Sequence, residues 1–170
     1  MPESARSPYL HDPNRLGDVI AAIQAMATYK FYKLEFAGWA ERIVGDANQA
    51  DHWRQVFQEH PEFFRLDTER VRASLVWRRQ HRKRFNVDSE TMLTDEEYSA
   101  LSPQRKTRVS RAPLGASEVS TLIKTATDLH SRALEQKKES RWWLPIIAAA
   151  ASLFGSVTGA LIGALLKVQK

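Results

Sequence analysis

Residues 60–79 read HPEFFRLDTERVRASLVWRR, and the spacing of apolar residues in this stretch decides the class of fold. Glu62 to Asp67 (EFFRLD) and Ala73 to Arg78 (ASLVWR) are rich in aromatic and branched residues that partly alternate with polar ones. A polar Thr68-Glu69-Arg70 turn separates them, so the pair reads as a β-hairpin. Pro61 disfavours helical geometry at His60 and ends whatever helix precedes it. A period of two therefore follows a helical period at this point, and the chain is α+β.

Upstream, Ala50, Trp53 and Phe57 recur at helical spacing and form the buried face of a third helix. Asp46 and Gln49 have the spacing of a capping box at its start. Gly45 ends a short second helix built on Phe36, Trp39, Ala40, Ile43 and Val44. Before it, Thr28 to Leu34 interleaves aromatics with lysine, as in a short half-buried strand. Leu16, Val19, Ile20, Ile23 and Met26 mark a first helix entered near Pro13 and Asn14. Residues 1–13 are polar and proline-bearing and are expected to be a disordered lead-in, which gives a first domain over 14–85.

The order helix, strand, helix, turn, helix, hairpin over residues 14 to 80 resembles a winged-helix domain. The likeness is carried by the Gly45-Asp46 turn, the Trp53/Phe57 face, and the strands around Phe63-Phe64 and Leu75-Val76-Trp77. HPEFFR followed by LVWRR is also similar to short bacterial membrane proteins, a likeness that brings no activity with it. Winged helices often bind DNA through the third helix. Here its outer face carries Asn48, Asp51, His52, Gln55, Gln58 and Glu59 without lysine or arginine, and Arg54 lies on the flank nearer the core. Affinity for a duplex comes largely from neutralised phosphates, which Asp51 and Glu59 repel, so nucleic acid is disfavoured and a protein partner is favoured.

The strongest basic run follows the hairpin: Arg78, Arg79, Arg82, Lys83 and Arg84. It fits anionic lipid, an acidic partner or nucleic acid, and equally a solvated exit from the hairpin. Residues 86–116 are polar and read as a connector, with a small helix signalled by the Thr94/Glu97 capping box and a turn opened by Ser102-Pro103. A long amphipathic helix over 117–141 then carries Val119, Leu122, Ile123, Ala126, Leu129 and Ala133 on one stripe.

That helix runs into WWLPIIAAAASLFGSVTGALIGALL, Trp142 to Leu166, which is 25 residues without an ionisable side chain. At about 1.5 Å per residue it reaches roughly 37 Å, enough to span a hydrocarbon core of about 30 Å. Residues 142–166 are therefore expected to form a transmembrane helix, with a hinge or kink at Pro145 near the interface. Arg141, Trp142 and Trp143 at one end and Lys167 at the other are placed as interfacial anchors. Lys124, Arg132, Lys137, Lys138 and Arg141 precede the span and only Lys167 and Lys170 follow it. The excess places the N-terminus in the cytoplasm of a single-pass inner-membrane protein, with 167–170 a short external tail.

Removing the anchor leaves about 140 residues, a usual size for one domain. There is no cysteine, which excludes disulfide and thiolate chemistry. GxSxG, Walker-type and GxGxxG motifs are missing, and His11, His52, His60, His81 and His130 show no metal-ligand spacing. No catalytic residue, metal or cofactor is expected. The sequence reads as an α+β protein, with a small winged-helix-like domain followed by a long helix and one transmembrane helix. Its expected function is that of a membrane-tethered interaction or adaptor protein that binds a protein partner beside the bilayer. The alternatives are a membrane-bound DNA-binding regulator and a membrane-active effector that oligomerises through its anchor.

Within the span, Ala151, Gly155, Gly159 and Gly163 recur at every fourth residue, with Ser152, Ser156, Ala160 and Ala164 in the adjacent row. Small residues let helix backbones approach closely, and in lipid such rows mark helix–helix contacts and so a homo-oligomer. Gly159→Ile is expected to weaken self-association in a membrane two-hybrid assay of residues 115–170, whereas Leu161→Ile leaves it unchanged. Equal signals from the two variants would remove the glycine row as the contact.

Overall fold

The computed structural model describes residues 7–139 and divides the chain into one unit ending at His130 and a second beginning at Ser131. The first is a mixed α+β unit with two small sheets, and the long C-terminal helix begins in it. The described part of the second is the remainder of that helix. Among the described residues no helix is long and apolar enough to cross a membrane. The expected span at 142–166, the tail at 167–170, and the residues assigned to interface anchoring and helix contact lie outside the described residues.

Helix α1 (Arg15–Thr28) buries Val19, Ala22, Ile23, Met26 and Ala27, a stripe at the spacing that puts side chains on one helical face. Strand β1 (Lys33–Glu35) leads directly into α2 (Phe36–Val44), whose inward residues are Phe36, Trp39 and Ala40. Gly45 stops α2 in the left-handed conformation, φ 75°, where a side chain would be strained, and its N–H returns to the Glu41 carbonyl. Trp39 Nε1 donates to the Ala73 carbonyl at 2.9 Å, so α2 is fastened to a strand more than thirty residues away.

The capping box expected at Asp46 and Gln49 is not formed. Asp46 accepts from the Asn48 N–H but caps a 3-10 turn, Ala47–Gln49, and the Gln49 amide bonds the Asp46 carboxylate rather than its backbone. Helix α3 (Ala50–Glu59) starts after that turn and buries Trp53, Val56 and Phe57. Strands β2 (Phe64–Leu66) and β3 (Arg72–Leu75) form the expected hairpin, and the sheet order is β1-β3-β2, antiparallel throughout. Leu34, Ala73 and Leu66 stand in one cross-strand row toward the core, while Lys33, Ser74 and Arg65 stand in the next row, on the opposite face.

Three sequence expectations change. The hairpin ends at Leu75, and Trp77 opens a 3-10 turn, Trp77–Gln80. Trp77, expected within the second strand, lies in that turn and is half-buried. The lead-in is structured from residue 7. Pro8–Leu10 make a 3-10 turn, and the buried Tyr9 ring lies 4.4 Å from that of His60 and 5.8 Å from that of His130. Its hydroxyl donates to Glu62 Oε1, which also meets His60 Nδ1 at 3.0 Å.

The stretch expected to be a connector holds a second antiparallel sheet, β4 (Phe85–Asn86), β5 (Thr91–Met92) and β6 (Val109–Ser110), in the order β5-β4-β6. Two-residue strands carry no readable period, and Phe85, Val87 and Val109 supply the apolar side that holds them. Helices α4 (Asp95–Ala100) and α5 (Pro103–Lys106) lie between β5 and β6. The Thr94/Glu97 capping box has both of its bonds. Helix α6 (Ala116–Glu139) follows, with Leu122 and Ala126 buried in the first unit.

Arg78 joins these parts. It is 0 % exposed, and its guanidinium donates to five backbone carbonyls, those of Met26, Tyr29, Lys30, Arg111 and Ala112. No carboxylate is among them. Burial lowers its pKa to about 10, so it stays charged at neutral pH, with carbonyl dipoles in place of a counter-ion. A buried acceptor left without a donor costs about 1–3 kcal/mol, so Arg78→Leu is expected to destabilise by about 3 kcal/mol or more. Arg78→Lys, a compact charge without the planar fork, should lose less. Denaturation of the full chain in detergent checks this, and an Arg78→Leu variant that melts like the parent would overturn it.

Candidate interaction surface

The basic run at 78–84 does not form one patch. A 3-10 turn rotates about 120° per residue, so neighbours diverge: Arg78 enters the interior and Arg79 faces solvent. Arg84 pairs with Asp95 at 2.9 Å and lies over the Tyr98 ring at 3.8 Å. Arg82 approaches the same carboxylate at 3.8 Å, and Lys83 is exposed. The run thus has a structural member, two members engaged on α4, one exposed lysine, and one member, Arg79, that joins residues distant in sequence.

Those residues line a groove of about 870 Å³ beside the first sheet. Lys33, Ser74 and Arg65 come from the sheet row that faces away from the core, with Tyr32 and Arg79 also in the lining. Gln58 and Pro61 contribute from the end of α3 and the residues after it, and Asp67, Thr68 and Arg70 from the hairpin turn. Asp67 organises the turn. Its Oδ1 accepts from the Val71 and Arg72 N–H groups at 3.0 and 3.1 Å, and its Oδ2 lies 3.5 Å from Lys33 Nζ. Burial opposes ionisation, but the two backbone N–H donors and Lys33 outweigh it and hold the carboxyl below the usual range.

Lys33 is thereby neutralised. Arg65, Arg70 and Arg79 have no ion-pair partner among the described residues. Arg70 also holds φ at 56°, in the left-handed region that favours glycine. The groove therefore presents three unneutralised guanidinium groups around a polar concavity.

The outer face of α3 differs. Asp51 and Gln55 are exposed, as is Asn48 in the 3-10 turn before the helix, while Gln58 belongs to the groove lining; His52 meets Asp18 at 3.1 Å, and Glu59 meets Arg15 at 3.2 Å. Arg54 lies 3.8 Å from Asp51 and over the Phe36 ring, so this face carries no unpaired cation. Sequence reasoning found Arg79 but missed Lys33, Arg65 and Arg70, which span nearly forty positions. The alternation of the hairpin held the signal for Arg65, since Phe64 and Leu66 face the core on either side of it. Arg141, Trp142, Trp143 and Lys167, with Ala151, Gly155, Gly159 and Gly163, fall outside the described residues.

Asp67 gives a pH test. Its folded pKa is depressed, so its contribution to stability is present above the unfolded value of about 3.9 and is lost as pH falls through the lower folded value. Asp67→Asn should melt below the parent at neutral pH, and the difference should shrink as pH falls below that unfolded value. A gap independent of pH would remove the charged form as the source of turn stability. Comparison of the chain with family models, with curated proteins and with solved structures finds no match.

Proposed function

We propose that this protein is a membrane-tethered interaction module, in which a winged-helix-like unit docks a protein partner through the groove beside its first sheet. The layout supports the winged-helix-like reading: a short strand after the first helix pairs with the hairpin that follows the third. The 142–166 segment serves as the anchor, with the N-terminal unit on the cytoplasmic side of the inner membrane and self-association through the glycine row. The observation that carries the docking reading is the placing of unpaired charge. Three free arginines ring the groove, whereas the helix face that would enter a DNA groove has none.

The experiment is site-directed photo-crosslinking of the full-length chain in its native membranes. A photo-reactive residue at Gln58 or Thr68, both in the groove lining, is expected to give adducts that proteases remove and nucleases do not. The same chain in detergent is expected to give no salt-dependent shift of duplex DNA at micromolar concentration. Nuclease-sensitive adducts from Gln55 on the outer face of α3, together with a steep salt slope, would overturn the proposal for the DNA-binding alternative.

A further inference from the structure

We infer that the groove takes an acidic, extended peptide segment of the partner, with its carboxylates on the Arg65, Arg70 and Arg79 guanidinium groups. The inference rests on the docking reading above and adds the chemistry of what is docked. All three unpaired cations are arginines, whose planar forks bind carboxylates by two parallel hydrogen bonds, a geometry an ammonium does not offer. They stand at separate points of the concavity: Arg65 on the sheet row, Arg70 at the hairpin turn and Arg79 after β3. A ligand that reaches all three is elongated and carries more than one negative charge.

The chain holds a carboxylate of its own in this groove. Asp67 sits on two backbone N–H groups and Lys33, which occupies the lysine and leaves the three arginines as the groove's unpaired donors. Arg70 is an independent sign. Its left-handed backbone would be relaxed by glycine, so the chain carries a side chain at a position where the backbone favours none.

The placing of the cations selects a peptide over a nucleic acid. The groove, about 870 Å³, is a local concavity rather than a long track. Duplex affinity needs a track of cations along many phosphates. Here three arginines close on one concavity, and the outer face of α3 carries the exposed Asp51. Pro61 also lines the groove and gives an apolar side chain between the ligand's acids a surface to cover.

The test uses the full chain in neutral-lipid nanodiscs and a fluorescein-labelled peptide of about eight residues that alternates glutamate with leucine, long enough at about 3.4 Å per residue to cross the groove. Fluorescence anisotropy should show binding that weakens with salt, and the glutamine-for-glutamate peptide should fail to bind. The Arg65→Ala/Arg79→Ala double variant should bind about tenfold more weakly or worse. Arg82→Ala/Lys83→Ala, outside the groove, should bind as the parent does. Arg70→Gly should lose affinity several-fold while melting at or above the parent temperature, which separates a binding role from a structural one.

If the double variant loses its melting transition, the Arg65→Lys/Arg79→Lys pair replaces it, and weaker peptide binding by that pair is the expected result. Equal peptide affinity in parent and groove variants overturns the inference. So does duplex DNA, or anionic vesicles, losing more affinity than the peptide in those variants. If the peptide fails while crosslinks at Gln58 and Thr68 still yield protein adducts, the acidic-segment inference falls and the docking reading stands. If those adducts are absent as well, both fall.

Discussion

One buried guanidinium joins segments that no β-ladder connects. The last carbonyls of α1 have no amide partner within the helix, and they carry the negative end of its dipole. Arg78, placed inside by the 3-10 turn after β3, meets the Met26 carbonyl there, the Tyr29 and Lys30 carbonyls just past the helix end, and those of Arg111 and Ala112 on its other side. Arg111 returns the arrangement by donating to the Arg79 and His81 carbonyls. The segments at 78–81 and 111–112 thus hold each other, and through them the first sheet is tied to the second. Leu114, whose N–H bonds the Ala27 carbonyl, continues the same seam toward α6.

The consequence for the groove follows along the chain. Tyr29 to Tyr32 is too short to hold a shape by itself, yet it ends at Tyr32 and Lys33, which line the groove. Arg78 fixes its carbonyls, and its rings lie under guanidinium groups: Tyr29 under Arg42 at 4.9 Å, Phe31 under Arg108 and Tyr32 under Arg111, both at 5.1 Å. Each such contact contributes roughly 0.5–1 kcal/mol where exposed. The Tyr32 N–H also donates to Ser110 Oγ on β6. A segment of interleaved aromatic and lysine residues is therefore tied on several sides before it enters a three-residue strand.

What the sequence made legible is what repetition encodes. Five apolar residues at helical spacing were enough to find α1, and Gly45 marked the end of α2 because a left-handed stop there requires little else. The hairpin strands were legible from the apolar residues beside Arg65 and Ser74. Arg78 was not, because nothing in WRRQHRKRF distinguishes an arginine that will meet five carbonyls from one that will meet water; the difference lies in segments thirty to fifty residues away. Strands β4, β5 and β6 were too short for any period to show. Val56 was missed because Trp53 and Phe57 already defined a face, and a helix stripe is wider than its two largest residues.

The fate of the basic run shows why local charge density is a poor guide to a surface. In sequence, residues 78–84 are the most positive part of the hairpin region, yet Arg78 spends its charge on backbone carbonyls, and Arg82 and Arg84 turn to Asp95. Arg79 alone of the run joins a cluster of unpaired charge, where it meets Arg65 and Arg70 around one groove. Three arginines in a polar, solvent-open cleft give modest affinity by themselves, because exposed ion pairs contribute about 0–1 kcal/mol each. Under the proposed function, an anchor compensates for this. A partner held at the same membrane meets the groove at an effective concentration far above its bulk value, so a weak and readily reversed contact is enough to recruit it.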